Sequence, residues 1–150
     1  MAHTFTNLLY HIVFSTKNRQ LLIDDDIKED LFAYLGGTVR GINGDALIVN
    51  GTADHVHLLV VLPQTIAVAD ALRDIKANSS RWVHEKWANR ESFGWQTGYG
   101  AFTVSESRRE AVKRYIANQE EHHRTISFQE EFIGLLKKHR IPYDPRFVLD

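Results

Sequence analysis

The sequence predicts an α+β fold of the ferredoxin-like, split βαβ type, with an antiparallel sheet, helices on one face and a C-terminal tyrosine-bearing helix. The predicted elements follow the order strand, helix, strand, strand, helix, strand, and the tyrosine-bearing helix comes after them. A chain of 150 residues with 43% hydrophobic residues can bury one core but hardly two. Residues 1–150 are therefore expected to form a single domain.

The first predicted strand and helix lie in the N-terminal third of the chain. Residues 5–15 are rich in β-branched and aromatic side chains, which is typical of a largely covered strand. The acidic run 24–26 can cap a helix. Apolar residues then recur at helical spacing from Ile27 until glycine and asparagine end the pattern at 41–44.

A predicted β-hairpin follows this helix. Two apolar runs, 46–49 and 55–62, are separated by turn-forming residues. These turn formers are Asn50, Gly51 and Asp54. The pattern favours two antiparallel strands joined by a short connection.

The second half of the chain predicts two helices around a short strand. Apolar positions between 68 and 87 suit one helix face without a proline or glycine to interrupt it. A short strand at 101–104 precedes a predicted helix at 106–121, for which Ser105 is the expected N-cap. One further apolar-periodic segment spans 128–136, and two later prolines predict an extended tail.

Composition excludes several kinds of chemistry. Without cysteine, the chain has no disulfides, no thiolate zinc sites and no cysteine nucleophile, so a metal must bind His, carboxylate or amide ligands. No apolar run approaches the roughly 20 residues that a bilayer span needs, so a soluble, cytoplasmic protein without a membrane partner is expected. The net charge of -1 argues weakly against nucleic-acid binding, although basic residues cluster in two segments and can form a basic face.

The predicted third strand contains two histidines separated by one residue. Alternation along a strand places His55 and His57 on one side, about 6.6 Å apart along the chain, while Val56 and Leu58 take the opposite face. Both imidazoles are expected to face one solvent-side pocket, and their spacing suits a single metal ion. Two ordinary solvent-exposed histidines and a hydrogen-bonded pair in the core remain the alternatives at this point.

The predicted tyrosine-bearing helix carries a second pair of polar residues. Tyr115 and Gln119 are four residues apart, so they share one face of a helix. An amide oxygen can complete the coordination of a metal while a phenol lies beside it. The alternatives are a half-buried helix tyrosine and an ordinary surface glutamine.

Taken together, these motifs resemble those of single-tyrosine HUH transposases, in which HUH stands for His, hydrophobic residue, His. The resemblance is to the insertion-sequence two-hundred type, and especially to the REP-associated tyrosine transposases. The matching segments are 54–60, 93–102 and 115–119, in the family's order. Weaker similarities span 10–19 and 127–144, so the resemblance covers almost the whole chain.

The resemblance implies a metal-dependent DNA endonuclease and strand transferase that acts in DNA transposition or repeat-element processing. A divalent ion, Mg²⁺ or Mn²⁺, would be held by His55, His57 and Gln119 and would polarise a phosphate oxygen. Tyr115 would attack phosphorus, forming a 5′-phosphotyrosine link and releasing a 3′-hydroxyl. The group that deprotonates the phenol is left open.

The resemblance also implies a substrate of single-stranded or hairpin DNA, read partly by stacking and by a positive groove. The candidate DNA-contacting residues are Arg73, Lys76, Arg81, Arg109 and Arg114. A homodimer and a monomer both remain open.

Three other functions compete with this interpretation. A non-catalytic nucleic-acid-binding module of the same shape would carry exposed aromatics on its sheet, whereas this chain has His55 and His57 there. A two-histidine phosphoesterase would need two separated His-x-Ser/Thr motifs, and the chain has one His-x-His. A domesticated transposase with a regulatory role in its host remains open.

Overall fold

Four antiparallel strands form one sheet in the computed structural model, which describes residues 3–150. The strands are β1 (Leu8–Ser15), β2 (Asp45–Thr52), β3 (His55–Leu62) and β4 (Gly100–Thr103). The helices are α1 (Lys28–Gly41), α2 (Val68–Lys86), α3 (Arg109–Ala117), α4 (Gln119–His122) and α5 (Phe128–Lys138). The spatial order β2-β3-β1-β4 is that of a split βαβ sheet, so the predicted fold class is confirmed.

One face of the sheet packs against α1 and α2, as predicted. Alternate residues of β3 point into this core, which also takes residues from β1 and both long helices. Its fully buried members include Phe14, Leu31, Leu35, Val56, Leu58, Val60, Leu72 and Ile75. Burial of one such side chain stabilises a fold by about 1.5–3 kcal/mol, so this face provides much of the stability.

The other face of the sheet is covered as well, by α3 and α5. Ile116 of α3 packs on Leu9 and Leu59, while Phe128 and Phe132 of α5 pack near Val13. A reciprocal capping box between Ser127 and Glu130 starts α5. Within residues 3–150, no helix is long and apolar enough to cross a membrane.

The first strand is shorter than predicted. It begins at Leu8, which pairs with Leu62 of β3, whereas Phe5 lies before the strand and is 91% exposed. An aromatic residue raises the local strand propensity, but a strand also needs a partner for its backbone. The pairing with β3 runs from Leu8 to Ser15 and therefore excludes Phe5.

The hairpin turn lies later than the turn-forming residues indicated. Asn50 and Gly51 belong to β2, which continues to Thr52, and the turn is formed by residues 53–54. Gly51 faces the neighbouring strand so closely that a Cβ atom would lie 2.1 Å from the carbonyl oxygen of His55. The glycine is thus explained by this close approach rather than by a turn.

The predicted helix 106–121 is divided into three pieces. A 3₁₀ turn at Glu106–Arg108 leads into α3, and a break at Asn118 separates α3 from α4. The side-chain amide of Asn50 donates hydrogen bonds to the carbonyls of Ile116 (2.9 Å) and Ala117 (3.2 Å), which satisfies the C-terminal end of α3. The hydroxyl of the expected N-cap Ser105 contacts Ser107 instead of a helix N–H.

The C-terminal tail is folded back rather than extended. Its residues 145–149 form turns, and Val148 and Leu149 pack on the cluster around α5. The backbone carbonyl of Asp150 accepts hydrogen bonds from the N–H of Gly98 and from the side chain of Gln96, both at 2.9 Å. The last residue is therefore joined to the loop before β4.

Candidate active site

Strand β3 presents both predicted histidines on the face opposite the α1/α2 core. His55 and His57 are completely buried, and their ring centroids lie 5.1 Å apart. The expected common face is correct, whereas the expected solvent-side pocket is wrong because α3 and α5 cover this part of the sheet. The imidazoles therefore lie in a polar interior, where each nitrogen needs a partner.

Tyr115 and Gln119 reach the same place from either side of the break at Asn118. Gln119 is completely buried, and its Oε1 atom lies 3.0 Å from Nε2 of His55. The ring of Tyr115 lies 5.9 Å from that of His57, centroid to centroid. The structure thus brings together all four residues that the sequence motifs indicated.

Glu131 of α5 lies at the centre of the cluster. Its Oε1 atom lies 3.0 Å from Nε2 of His57 and 2.9 Å from Nε2 of His123. Its Oε2 atom accepts a hydrogen bond from the hydroxyl of Tyr115 and another, at 3.1 Å, from the amide of Gln119. One buried carboxylate therefore joins the phenol, the amide and two imidazoles.

Sequence reasoning missed Glu131, although a signal for it existed. In α5 the apolar residues Phe128, Phe132 and Leu135 mark the buried face, and Glu131 lies three residues after the first and four before the last. A carboxylate on an apolar helix face is rarely buried without partners. The missed His123 follows α4, and its position depends on the helix break, which no sequence pattern indicated.

The three histidines of the cluster each bind a second group through Nδ1. These pairs are His55 with Asp54 Oδ1 at 2.7 Å, His123 with the Ile126 carbonyl at 2.9 Å, and His57 with His11 Nε2 at 2.8 Å. Partners of this kind fix the orientation and tautomer of histidines that bind metals. All three Nε2 atoms consequently point toward Glu131.

The protonation of these rings shows that the cluster suits a cation. Nδ1 of His55 and of His123 must donate to an oxygen, so Nε2 of each neutral ring carries a lone pair. The lone pair of His55 faces Oε1 of Gln119, and that of His123 faces Oε1 of Glu131. Both oxygen atoms are also acceptors. A proton or a cation must separate each pair. Together with His57, one donor atom from each histidine and from Glu131 lies within 4.8 Å of the others, a spacing and donor set suited to a divalent metal ion.

Burial sets the charges in the cluster. It lowers the pKa of His57 to about 4, so this ring is neutral at pH 7. Burial alone would raise the pKa of Glu131, but the contacts of its carboxylate with His123 and His57 outweigh this effect and hold the pKa far below its ordinary value. Burial and the bond to Glu131 raise the pKa of Tyr115 above that of a free phenol. An ionised carboxylate therefore lies beside a neutral tyrosine.

The five predicted DNA-contacting residues lie in two groups. Arg73, Lys76 and Arg81 are on α2, which packs on the other face of the sheet from Tyr115. The other two, Arg109 and Arg114, are on α3 together with Tyr115. Contact with DNA stays a prediction for all five.

Lys76 has a structural role in addition to the predicted one. Its ammonium group donates hydrogen bonds to the backbone carbonyls of Gln96 (2.6 Å), Thr97 (3.0 Å) and Gly98 (2.9 Å). Burial lowers the pKa of Lys76 to about 8. The lysine thus holds the loop before β4 against α2.

A split βαβ sheet with a His-x-His strand beneath a tyrosine-bearing helix defines the class of single-tyrosine transposases. A family model described as "Transposase IS200 like" matches residues 4–119. The chain therefore belongs to the IS200-like transposase family. The matched segment contains Tyr115 and Gln119 but ends before His123 and Glu131.

Two relatives have curated descriptions as transposases. The transposase for insertion sequence element IS200 of Salmonella typhimurium strain LT2 is 29% identical over 126 residues, which cover 79% of this chain and 81% of the relative. The ISDra2 transposase TnpA of Deinococcus radiodurans is 26% identical over 117 residues, which cover 75% of this chain and 84% of the relative.

Two solved structures share the fold. A protein of Deinococcus radiodurans R1 that is assigned as a transposase aligns with a TM-score of 0.63 and 24% identity, over 79% of this chain and 95% of its own. A REP-associated tyrosine transposase bound to a REP hairpin aligns with a TM-score of 0.58 and 14% identity, over 82% and 72% of the two chains. At these identities the likeness shows a shared fold.

Proposed function

We propose that this transposase-family chain is a metal-dependent single-stranded DNA endonuclease and strand transferase with Tyr115 as its nucleophile. One observation carries the proposal: the hydroxyl of Tyr115 is bonded to Glu131, the same carboxylate on which the imidazoles of His55 and His57 converge. A phenol beside a candidate metal centre suits nucleophilic attack on a phosphodiester.

The ion would be held by the Nε2 atoms of His55 and His57, the ligands that the motif predicted. The amide oxygen of Gln119, the third predicted ligand, lies at the edge of the same cluster, and Glu131 and His123 add a carboxylate oxygen and a third imidazole. When bound, a divalent ion supplies Lewis-acid polarisation of a phosphate oxygen and favours the ionised form of the neighbouring phenol. Imidazole ligands favour Mn²⁺ over Mg²⁺.

The reaction balances with groups that the chain provides. The oxygen of Tyr115 attacks phosphorus, the bond from phosphorus to the 3′ oxygen breaks, and a 5′-phosphotyrosine link forms. Glu131 already accepts the phenolic hydrogen bond, so its Oε2 atom is placed to take the proton. The departing 3′ oxygen takes a proton from solvent water and becomes a hydroxyl, which balances the proton that the phenol loses. Attack by a second 3′-hydroxyl on the phosphotyrosine reverses these changes and joins a new strand without ATP.

Single-stranded or hairpin DNA is the proposed substrate. The structural relative bound to a REP hairpin supports a DNA hairpin as the kind of ligand, and the family supports a role in DNA transposition or repeat-element processing. Tyr115 lies beside His57 of its own chain and shares the Glu131 carboxylate with His55, which supports a reaction within one subunit. A homodimer stays a prediction.

The test is incubation with end-labelled, hairpin-bearing single-stranded oligonucleotides and Mn²⁺ or Mg²⁺, followed by denaturing gel electrophoresis. A covalent protein–DNA adduct should form with the native chain and with the control variant Tyr99→Phe, and should be absent with Tyr115→Phe. Adduct formation by Tyr115→Phe would refute the nucleophile. A normal rate with His57→Ala would refute the metal site.

A further inference from the structure

A cavity of about 430 Å³ opens beside Tyr115, between α3 and α5. We name it the α3–α5 cavity. Its wall includes Tyr115 and Ala111 of α3, and Arg108, which directly precedes α3. Helix α5 contributes Leu135 and Lys138. The mechanism proposed above uses none of these residues except Tyr115.

The chemistry of the α3–α5 cavity combines apolar walls with positive charge. Val112 and Leu135 supply apolar surface, whereas Arg108 and Lys138 supply the positive charge. None of the described residues that line the cavity is acidic. Such a cavity attracts an anion that also has a flat apolar part.

The cavity's size limits what can enter. Sites for small ligands usually measure about 300–1,000 Å³, so the α3–α5 cavity is large enough for one base with its sugar. An enzyme that reads a base in this way needs an unpaired strand or must extrude the nucleotide. The ring of Tyr115 forms part of the wall, and the exposed ring of His139 stacks on Phe102 at 4.4 Å, so aromatic surface is available to a base.

We infer that the α3–α5 cavity binds one unpaired nucleotide of the DNA strand, next to the phosphate that Tyr115 attacks. The base would contact the apolar wall, and the neighbouring phosphates would contact Arg108 and Lys138. This inference rests on the proposed function, because it takes the strand attacked by Tyr115 as the ligand. It adds a specificity site, since the fit of one base would help to select the cleaved position.

A second cavity, at the C-terminal end of α3 and along α4, provides a matched comparison. It measures about 380 Å³ and is lined by Ala117, Asn118, Glu120, Glu121 and Arg124 among others. Two carboxylates on its wall make it unsuitable for a nucleic-acid strand. The same substitution, alanine to tryptophan, can therefore be made at Ala111 in the basic cavity and at Ala117 in the acidic one.

The experiment uses the full chain with Tyr115→Phe, so that bound DNA stays intact whether or not the native chain cleaves it. The probes are fluorescent hairpin-bearing oligonucleotides in which one nucleotide at a time is abasic, and affinity is measured by anisotropy. Loss of the base at one single-stranded position should weaken binding roughly 5- to 150-fold, the range for one stacked base. Ala111→Trp should cause a similar loss and abolish the abasic effect, whereas Ala117→Trp should do neither.

Several outcomes would overturn the inference. The first is that Ala111→Trp leaves DNA affinity unchanged, and the second is that the abasic effect persists in that variant. The third is that every abasic oligonucleotide binds equally well, which would leave only phosphate contacts. If Ala111→Trp does not fold by circular dichroism, Lys138→Glu replaces it, with the exposed Lys137→Glu as control. If the native chain forms no adduct but the abasic and Ala111→Trp effects on binding are found, only the proposed chemistry is refuted. If the native chain forms the adduct but these binding effects are missing, only the cavity inference is refuted.

Discussion

The two faces of strand β3 differ in what their side chains contact. On one face, Val56 and Leu58 pack in an apolar core with α1 and α2. On the other, His55 and His57 are equally buried, but each contacts specific polar partners. Burial alone therefore does not distinguish a residue that stabilises the fold from one that takes part in chemistry. The distinction lies in whether the neighbours are apolar surface or atoms with a required donor or acceptor role.

The two faces of β3 also differ in how well they tolerate substitution. An apolar contact can be replaced by another of similar volume at a cost that is usually below about 1.5 kcal/mol. The polar face has no such freedom, because Glu131 joins Tyr115, Gln119 and two histidines through its two oxygen atoms.

The largest effect on stability is expected on the apolar face. Leu58→Ala should lower the free energy of unfolding by about 2–5 kcal/mol, because it removes a fully buried side chain and leaves a cavity. Urea denaturation would measure it. Under conditions where the variant remains folded, Mn²⁺ affinity should match that of the native chain. A loss below about 1 kcal/mol, or weaker metal binding in the folded variant, would show that the two faces are not separate.

Glu131→Gln tests the centre of the polar face. We expect Mn²⁺ affinity to fall by at least roughly a hundredfold, or about 2.7 kcal/mol, because loss of a ligand should exceed the 10- to 100-fold cost of losing an outer partner. Isothermal titration calorimetry without DNA measures this affinity. The control is Glu121→Gln, whose side chain is 72% exposed and should have no effect. Equal affinities for both variants would exclude Glu131 as a ligand.

Most of the fold could be predicted because its elements follow local rules. The alternation in β3 and the helical spacing in α2 are encoded within short segments. The boundaries that were wrong depend on distant contacts. Phe5 has no strand beside it, and the break after α3 is stabilised by Asn50 of β2. A single segment does not contain that information.

The candidate site could be predicted only where its residues form a motif. His55, His57, Tyr115 and Gln119 lie in short recognisable patterns. Glu131 lies 12 residues after Gln119, yet the two side chains are hydrogen bonded in the folded chain. Their contact results from the packing of α5 against the sheet, and the sequence signalled it only as one carboxylate on an apolar helix face.

A smaller effect is expected from His11, which contacts the metal site through another residue. It is a positioning residue, because its Nε2 atom is bonded to Nδ1 of His57 at 2.8 Å. His11→Phe should weaken Mn²⁺ binding roughly tenfold, as for other outer partners of metal-binding histidines. His11→Gln, which can restore a hydrogen bond, should recover part of that loss. The control is His84→Gln on α2, where the ring contacts the carbonyl of Phe93 on the other side of the sheet. If all three variants bind Mn²⁺ alike, His11 has no positioning role.

The smallest effect is expected from a carboxylate that contrasts with the buried Glu131. Asp24, before α1, is paired with Arg90, after α2, and the hydrogen bonds and charge of Arg90 hold the pKa of Asp24 below its ordinary value. A depressed carboxylate pKa stabilises the fold above the unfolded pKa of about 3.9, and this contribution disappears as the pH falls through the folded pKa. Because the pair is partly exposed to solvent, Asp24→Asn should cost about 0.2–1 kcal/mol at pH 7. The difference from the native chain should shrink as the pH falls through the folded pKa of Asp24, as measured by urea denaturation at a series of acidic pH values. A cost at pH 7 as large as that of Leu58→Ala would contradict this expectation. It would show that the Asp24–Arg90 pair, like the polar cluster, depends on specific hydrogen-bond partners and is not a solvent-screened ion pair.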